Sequence, residues 1–292
     1  MQLNDAMLAR RWEARLALHY ESRNQGTVLV RNEHSGPLRV QRNLYPEGRG
    51  TCHNILVHPP GGIATGDTLD VRVNLGDQSS ALLTTPGAGK WYRNFDSSSG
   101  AQDAEIAPQA RQTLQFHVGS AAQLEWLPQE TILFDGAAAD MATSVHLSEG
   151  ACYLGWEILC FGRTASGERF KTGRLRARTE IKTEQGVLWC EQGMLQAGNP
   201  LFQSPAGLAG RTVSATLLAA GRDTLDETLA ACRAVEPGED ALAGITRMPR
   251  LLIGRWLGNS SEQARWYFQN LWKTLRPALT AREAQTPRIW ST

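Results

Sequence analysis

Hydrophobic and polar residues alternate along several short stretches of the chain. In the first stretch every second residue is apolar: Trp12, Ala14, Leu16, Leu18 and Tyr20. The same period of two recurs at 71–75, 114–118, 124–126, 132–134, 174–182 and 213–217. Side chains on a β-strand point to its two faces in turn, so this period predicts half-buried strands. Turn signals such as Asp135-Gly136 separate the stretches, and together they predict a mainly β fold.

A first helix is predicted near 224–234, where the apolar residues change to helical spacing. The pattern Thr224-x-x-Glu227 is a capping box, in which the Thr side chain satisfies a free backbone N–H at the start of the helix. Pro237, which is followed by Gly, then ends the helical stretch.

A second helix is predicted near 261–279, beginning after Ser260 in the capping pattern Ser260-x-x-Gln263. Pro277 is expected to end its regular part. The apolar stripe and the aromatic residues beside it are Phe268, Leu271, Trp272, Leu275 and Leu279, with Trp266 and Tyr267. This stripe has two interpretations, packing against the sheets or a face that binds a partner protein, and the spacing does not decide between them.

Composition narrows the class of protein. The chain has 292 residues, 41% of them hydrophobic and 20% charged, which predicts a folded protein, here taken as one domain over 1–292. A net charge of +1 argues against nucleic acid and anionic membranes as partners. The sequence contains no apolar run of about 18 residues and no secretory leader pattern. Five scattered Cys residues without a CxxC motif fit free thiols, so we expect a cytoplasmic location.

Several motifs resemble catalytic or nucleotide sites but fail at essential positions. The loop from Gly62 to Asp67 has three residues between its glycines, where a phosphate loop has four, and Asp67 replaces the lysine. Thr164 stands where the nucleophile elbow around Ser166 requires glycine. The six His residues lack the spacing of a helical metal site. No catalytic constellation remains on the residues alone.

Five segments in order along the chain carry a resemblance to a known family. They are HPPGGIATGD at 58–67, LTTPGAGKWYR at 83–93, LEWLPQE at 124–130, GWE at 155–157 with FGRTASGE at 161–168, and PRIW at 287–290. Each segment is similar to a signature of the urease accessory protein UreD, also called UreH. Because five matches in order cover nearly the whole chain, the chain is identified as a member of that family.

The resemblance implies a maturation factor and not an enzyme. Such a protein binds the urease apoprotein and recruits a UreF-type accessory protein, through which a UreG-type GTPase delivers nickel. It implies a β-helix-like stack of short strands with two helices in the C-terminal part. It also implies no permanently bound cofactor, but Ni(II) in transit to the urease active site through an internal polar tunnel.

Residues of the matching motifs are candidates for these roles. Oxygen ligands hold Ni(II) loosely, as transit requires, and the candidate carboxylates are Asp67, Glu130, Glu157 and Glu168. The other tunnel or motif candidates are Thr84, Thr85, Lys90, Tyr92, Arg93, Arg163 and Ser166. The candidates for partner binding are Trp266, Tyr267, Phe268, Leu271, Trp272, Leu275, Arg288 and Trp290. Two structural alternatives stay open: Asp67 caps a turn, and Glu168 pairs with an arginine such as Arg163.

Two other functions remain as alternatives. A cytosolic β-rich hydrolase would use paired carboxylates and would turn over a substrate as the isolated chain. A nucleic-acid-binding protein would use the Arg-rich strand 174–182 and would bind with strong salt dependence.

Overall fold

The structure, a computed structural model, describes residues 12–24, 26–93 and 109–291. The strands in these ranges are β1 Glu13–Arg23, β2 Gly26–Ser35, β3 Arg39–Val40, β4 Cys52–Val57, β5 Thr68–Leu75, β6 Ser80–Thr84, β7 Gly89–Trp91, β8 Ala110–Val118, β9 Gln123–Trp126, β10 Thr131–Leu133, β11 Ala138–Leu147, β12 Cys152–Phe161, β13 Arg174–Thr183, β14 Gly186–Gln196, β15 Val213–Ala220, β16 Leu242–Met248 and β17 Leu251–Gly258. The α-helices are α1 Asp226–Arg233 and α2 Ser261–Thr280. Short 3-10 turns cover Thr164–Ser166, Pro200–Phe202 and Arg288–Ser291.

The strands form two sheets. Sheet I has the order β14-β13-β11-β8-β5-β1-β2, with parallel pairs from β1 to β13 and antiparallel hairpins at both edges. Sheet II has the order β16-β17-β15-β12-β9-β6-β4-β3, and its parallel pairs run from β4 to β12. The short strands β10 and β7 form a branch beside β12.

The chain crosses repeatedly between the sheets. Apart from the branch strands β7 and β10, the strands from β5 to β13 alternate between sheet I and sheet II, and strands of successive passes pair in parallel. The mainly β class with two helices late in the chain is confirmed. The finer expectation of a β-helix-like stack stays a prediction, since antiparallel pairs form both edges of sheet I.

The period of two places one face of each sheet in the core. On β1, Ala14, Leu16, Leu18 and Tyr20 are buried while the residues between them are exposed or half-buried. One apolar cluster fills the space between the sheets, and a second lies between sheet II and α2. The order of layers is therefore sheet I, sheet II and helices.

The first helix starts later than the capping pattern predicts. Its N-cap is Leu225, without a side-chain cap, and its first residue is Asp226. Thr224 lies one residue too early to cap, is buried, and accepts a hydrogen bond from Arg247 through its carbonyl oxygen at 3.1 Å. The capping box at Thr224 is therefore a wrong prediction, although the helix itself is present.

The second helix begins as predicted but does not stop at its proline. The Ser260 hydroxyl accepts a hydrogen bond from the backbone N–H of Gln263 at 3.3 Å, as an N-cap should. The helix continues through Pro277 to Thr280, so the predicted end at Pro277 is wrong. Buried side chains on both sides of the proline, Arg276 and Leu279 among them, hold this last turn against the body.

The apolar stripe of α2 packs into the core, which corrects its assignment as a partner-binding face. Five of the residues proposed for partner binding are at most 2% exposed: Tyr267, Phe268, Leu271, Trp272 and Leu275. They contact the apolar face of sheet II that α2 covers, so they are not accessible to another protein in this structure. Among the candidates on α2, only Trp266 lies at the surface, with 53% exposed.

A buried ion cluster also fixes α2 to sheet II. The guanidinium of Arg276 is fully buried; its Nε donates to Glu125 at 3.0 Å and its Nη2 to Glu47 at 2.7 Å. His53 contacts the same oxygen of Glu47 at 2.5 Å. The indole N–H of Trp272 donates to Glu125 at 2.6 Å. Each carboxylate therefore has more than one partner, as buried charges require.

No helix within the described ranges is both long enough and apolar enough to cross a bilayer.

Candidate functional site

A cavity of about 300 Å³ lies between the two sheets. Strands β8, β11, β13 and β14 line it from sheet I, and strands β9, β12, β15 and β17 from sheet II. Apolar side chains such as Met141 and Leu159 share the wall with many oxygen donors. The hydroxyl and amide donors are Gln112, Gln129, Gln192, Thr85, Thr131, Thr143, Thr179, Thr216 and Ser214. The cavity can therefore bind a polar solute or an ion weakly at many points.

Glu157 is the carboxylate at the centre of the sheet II wall. It lies on β12 between the buried residues Trp156 and Ile158, and it faces the cavity. Among the described residues, none donates a hydrogen bond to its carboxylate. Burial raises the pKa of Glu157 to about 7, and the negative charge of Glu191 adds to this shift. The side chain therefore exchanges a proton near neutral pH.

Two further charged residues, Glu191 and Arg255, line the cavity. Arg255 donates from Nη2 to Glu191 at 2.9 Å and from Nη1 to the hydroxyl of Thr216 at 2.8 Å. Glu191 and Arg255 are each about 43–44% exposed at the side chain, so this pair lies where the cavity meets solvent. With one guanidinium and two carboxylates on its wall, the cavity has a net negative charge when Glu157 is ionised.

Asp67 lies outside this cavity and holds a loop. Its Oδ1 accepts the backbone N–H of Trp12 at 3.0 Å, and its Oδ2 accepts that of Ala64 at 2.9 Å. These are the contacts of a carboxylate that caps a turn and joins it to the start of β1. The cavity wall does not include Asp67.

Glu168 and Arg163 form an ion pair in which two guanidinium nitrogens donate to one carboxylate oxygen. Glu168 Oε2 accepts from Nη2 of Arg163 at 2.6 Å and from its Nε at 3.2 Å. Glu168 Oε1 also accepts the backbone N–H of Asp135 at 3.1 Å. The guanidinium of Arg163 lowers the pKa of Glu168 despite partial burial. These contacts match the ion-pair alternative for Glu168.

Neighbouring motif residues complete this cluster. Arg93 contacts Asp135 at 3.4 Å, and Asp135 accepts backbone N–H groups of Lys171 and Thr172 at 2.8 and 2.7 Å. Tyr92 packs edge-on against Phe134, at 5.1 Å between ring centroids. A Cβ on Gly62 would lie 2.2 Å from the Tyr92 ring, so this loop position requires glycine.

The remaining predicted residues lie at other places. Glu130 accepts from Arg265 of α2 at 2.9 Å. Thr84 accepts from the indole N–H of Trp290 at 2.8 Å, which holds the C-terminal tail against sheet II. Lys90 contributes its carbonyl oxygen to Ile63 N–H at 2.7 Å. Ser166 is exposed in its 3-10 turn, and Arg288 is exposed in the tail.

Comparison with known proteins identifies the family. The profile of the UreD urease accessory protein family matches residues 13–291. A urease accessory protein UreD of Dechloromonas aromatica (strain RCB) is 48% identical over 284 residues, which cover 96% of this chain and 95% of that relative. A urease accessory protein UreD of Azoarcus sp. (strain BH72) is 47% identical over 281 residues, with 96% and 94% covered. This chain belongs to the UreD family.

UreD membership supports a role in urease maturation. The relatives are named accessory proteins, which fits a role other than catalysis. Within residues 12–24, 26–93 and 109–291, no three His, Cys, Asp or Glu side chains cluster closely enough to hold a metal ion.

Of the UreD motif residues predicted for a tunnel, the cavity wall includes Thr85 and Glu157. Sequence reasoning missed Glu191 and Arg255, which lie on β14 and β17 outside the matched motifs. The sequence does mark Arg255 as unusual, because it is the single charged residue in the apolar stretch Leu251–Gly258. No comparable signal marks Glu191, because most residues of its strand are exposed and none is fully buried.

Proposed function

We propose that this chain is a scaffold chaperone that binds urease apoprotein, recruits a UreF-type accessory protein and guides Ni(II) towards the urease active site. UreD family membership supports the connection to urease. The UreG-type GTPase joins the assembly through the UreF-type partner. The chain itself supplies no catalysis and keeps no permanent cofactor.

The observation that supports the proposal of nickel transit is the carboxylate of Glu157, which has no hydrogen-bond donor within the described part of the chain and faces an oxygen-lined cavity between the sheets. Ni(II) binds imidazole and thiolate tightly, and carboxylate, hydroxyl and water more loosely. Conduction needs several weak sites, so that an ion both enters and leaves. Glu157, Thr85 and Thr216 supply such weak ligands, and Glu191 extends the series towards solvent.

The exposed face of α2 is the proposed docking surface for the UreF-type partner. Trp266 is 53% exposed there, although the next residue on the helix, Tyr267, is buried. A large exposed aromatic residue is a frequent anchor in protein interfaces. Arg288 in the adjoining tail is also exposed and is the second proposed contact.

Complementation in a urease-expressing host without its own UreD gene tests the proposal. The wild-type chain is expected to restore nickel-dependent urease activity and to copurify with urease apoprotein. Glu157→Gln keeps the size of the side chain but loses the charge, so we expect severalfold lower activity with an intact complex. Glu184→Gln, at an exposed turn, is the matched control and should behave as wild type.

The outcomes separate the two parts of the proposal. Failure of the wild-type chain to bind urease would overturn the scaffold role. Full activity of Glu157→Gln would overturn transit through the cavity and leave the scaffold role standing. Trp266→Ala should reduce copurification of the UreF-type partner, whereas Trp12→Ala, an equally exposed tryptophan on the β1 side, should not. Alanine at Asp67 or Glu168 would test loop structure as well as transit, because both carboxylates hold backbone groups.

A further inference from the structure

Two histidines meet on the outer face of sheet I. His117 on β8 and His146 on β11 are direct partners in the parallel register of these strands. Their neighbours Phe116, Val118 and Val145 point into the core, so both imidazoles point outward. The ring centroids are 5.8 Å apart, and the ring planes are inclined by 39°. The register therefore brings together two rings that are 29 positions apart in sequence.

The two rings have no other polar partner in the part of the chain that the structure describes. Asn74 is the register partner of His117 on β5, and its side chain is exposed. Lys182 is the register partner of His146 on β13, but its ammonium group pairs with Glu180. The imidazole nitrogens are therefore free to bind a ligand from solvent, and a neighbouring amide oxygen is within reach of the same face.

We propose that His117 and His146 form a two-imidazole site for a divalent transition-metal ion such as Ni(II), Cu(II) or Zn(II). Imidazole nitrogen is a preferred ligand of these ions, whereas Ca(II) and Mg(II) prefer oxygen. The parallel hydrogen bonding of the two strands fixes their backbones. The second imidazole is therefore already close to a metal ion that the first imidazole has bound. Water, with or without the Asn74 amide oxygen, completes the coordination.

Both imidazoles lie on the outer face of sheet I, away from the cavity between the sheets. The geometry of the pair does not depend on the proposed passage of nickel between the sheets. The two proposals can therefore fail independently.

Copper binding to the purified full chain tests the site. With one equivalent of CuCl₂, the electron paramagnetic resonance spectrum of the wild-type chain should show coupling to two nitrogen nuclei, which carboxylate sites cannot produce. Titration with NiCl₂ by calorimetry should give an affinity that falls roughly a hundredfold in His117→Ala and in His146→Ala, since each variant loses the chelate.

His34→Ala is the matched control, because His34 is a single exposed histidine on β2 of the same sheet. It should retain the two-nitrogen spectrum and the wild-type affinity. The proposal is overturned if the wild-type spectrum lacks coupling to two nitrogens, or if His117→Ala and His146→Ala both keep the wild-type spectrum and affinity. Circular dichroism of the variants checks that the sheets are unchanged.

Discussion

Two regions of the molecule hold buried or half-buried carboxylates, and they differ in the hydrogen-bond partners that these carboxylates have. Under α2, Glu47 and Glu125 share the guanidinium of Arg276 and have further hydrogen-bond donors. In the cavity between the sheets, Glu157 has no donor among the described residues. Burial would raise the pKa of Glu47, but its hydrogen bonds from His53 and Arg276 outweigh burial and lower this pKa to about 2. Glu157 lacks such partners, and its pKa rises to about 7.

The difference separates a structural role from a functional one. A buried carboxylate with a complete set of partners stabilises one arrangement of the chain and has little capacity for a new ligand. A buried carboxylate without partners costs stability, and such groups concentrate at sites where a ligand or proton arrives. The comparison therefore supports Glu157, and not the better-paired carboxylates, as the residue that meets the cargo.

The largest effect is expected from breaking the ion cluster. Arg276→Met leaves Glu125 and Glu47 buried without their cation, so we expect the free energy of unfolding to fall by about 3–5 kcal/mol. Urea unfolding followed by tryptophan fluorescence measures the loss. Lys273→Met, at an exposed position of the same helix, should change stability by less than about 0.5 kcal/mol. Equal losses in both variants would contradict a special role of the cluster.

A second, smaller effect is expected in how the free energy of unfolding depends on pH in the acid range. The folded-state pKa of Glu47 is about 2, below its unfolded value near 4.5, so its contribution is present above pH 4.5 and is lost as pH falls towards 2. The contribution is about 3 kcal/mol, since each tenfold change in proton affinity corresponds to about 1.4 kcal/mol. Glu47→Gln should therefore be less stable at pH 7 and should have a flatter stability profile between pH 4.5 and pH 2. An unchanged slope would show that Glu47 does not carry this dependence.

A third effect, no larger than that of Glu47 and of opposite sign, is expected in the cavity. The pKa of Glu157 is raised from 4.5 to about 7, so its contribution to stability is largest below pH 4.5 and declines as pH rises through 7. Glu157→Gln should thus be more stable than wild type by up to about 3 kcal/mol at pH 8, with almost no difference near pH 4.5. Unfolding in metal-free buffer at both pH values measures this. Destabilisation at pH 8 would mean that Glu157 has a partner.

Local pattern predicted the fold where one face of an element is buried. The alternation on β1 and the stripe on α2 both correspond to buried faces in the structure. The pattern missed strands such as β4 and β12, because their residues are buried on nearly every position and show no alternation. Pro277 misled the prediction of the helix end, since tertiary contacts of the last turn outweigh its local preference.

The cavity was harder to predict than the fold. Its charged residues come from β12, β14 and β17, and only the crossing of the chain between the sheets brings Glu157, Glu191 and Arg255 to one space. Motif carboxylates such as Asp67 and Glu168 are obvious candidates in the sequence, but in the structure they stabilise loops through hydrogen bonds. The pair of His117 and His146 depends on strand register, which sequence spacing does not encode.

The ion cluster can form only late in synthesis of the chain. Glu47 leaves the ribosome early, but its cation Arg276 lies 229 residues later. At bacterial rates of about 5–20 residues per second, this separation corresponds to roughly 10–50 s of translation. Until α2 is synthesised, the face of sheet II that this helix covers stays exposed. The carboxylates of the ion cluster also lack the guanidinium that neutralises them. A chain that ends before α2 would therefore expose the apolar face of sheet II and would be prone to aggregation.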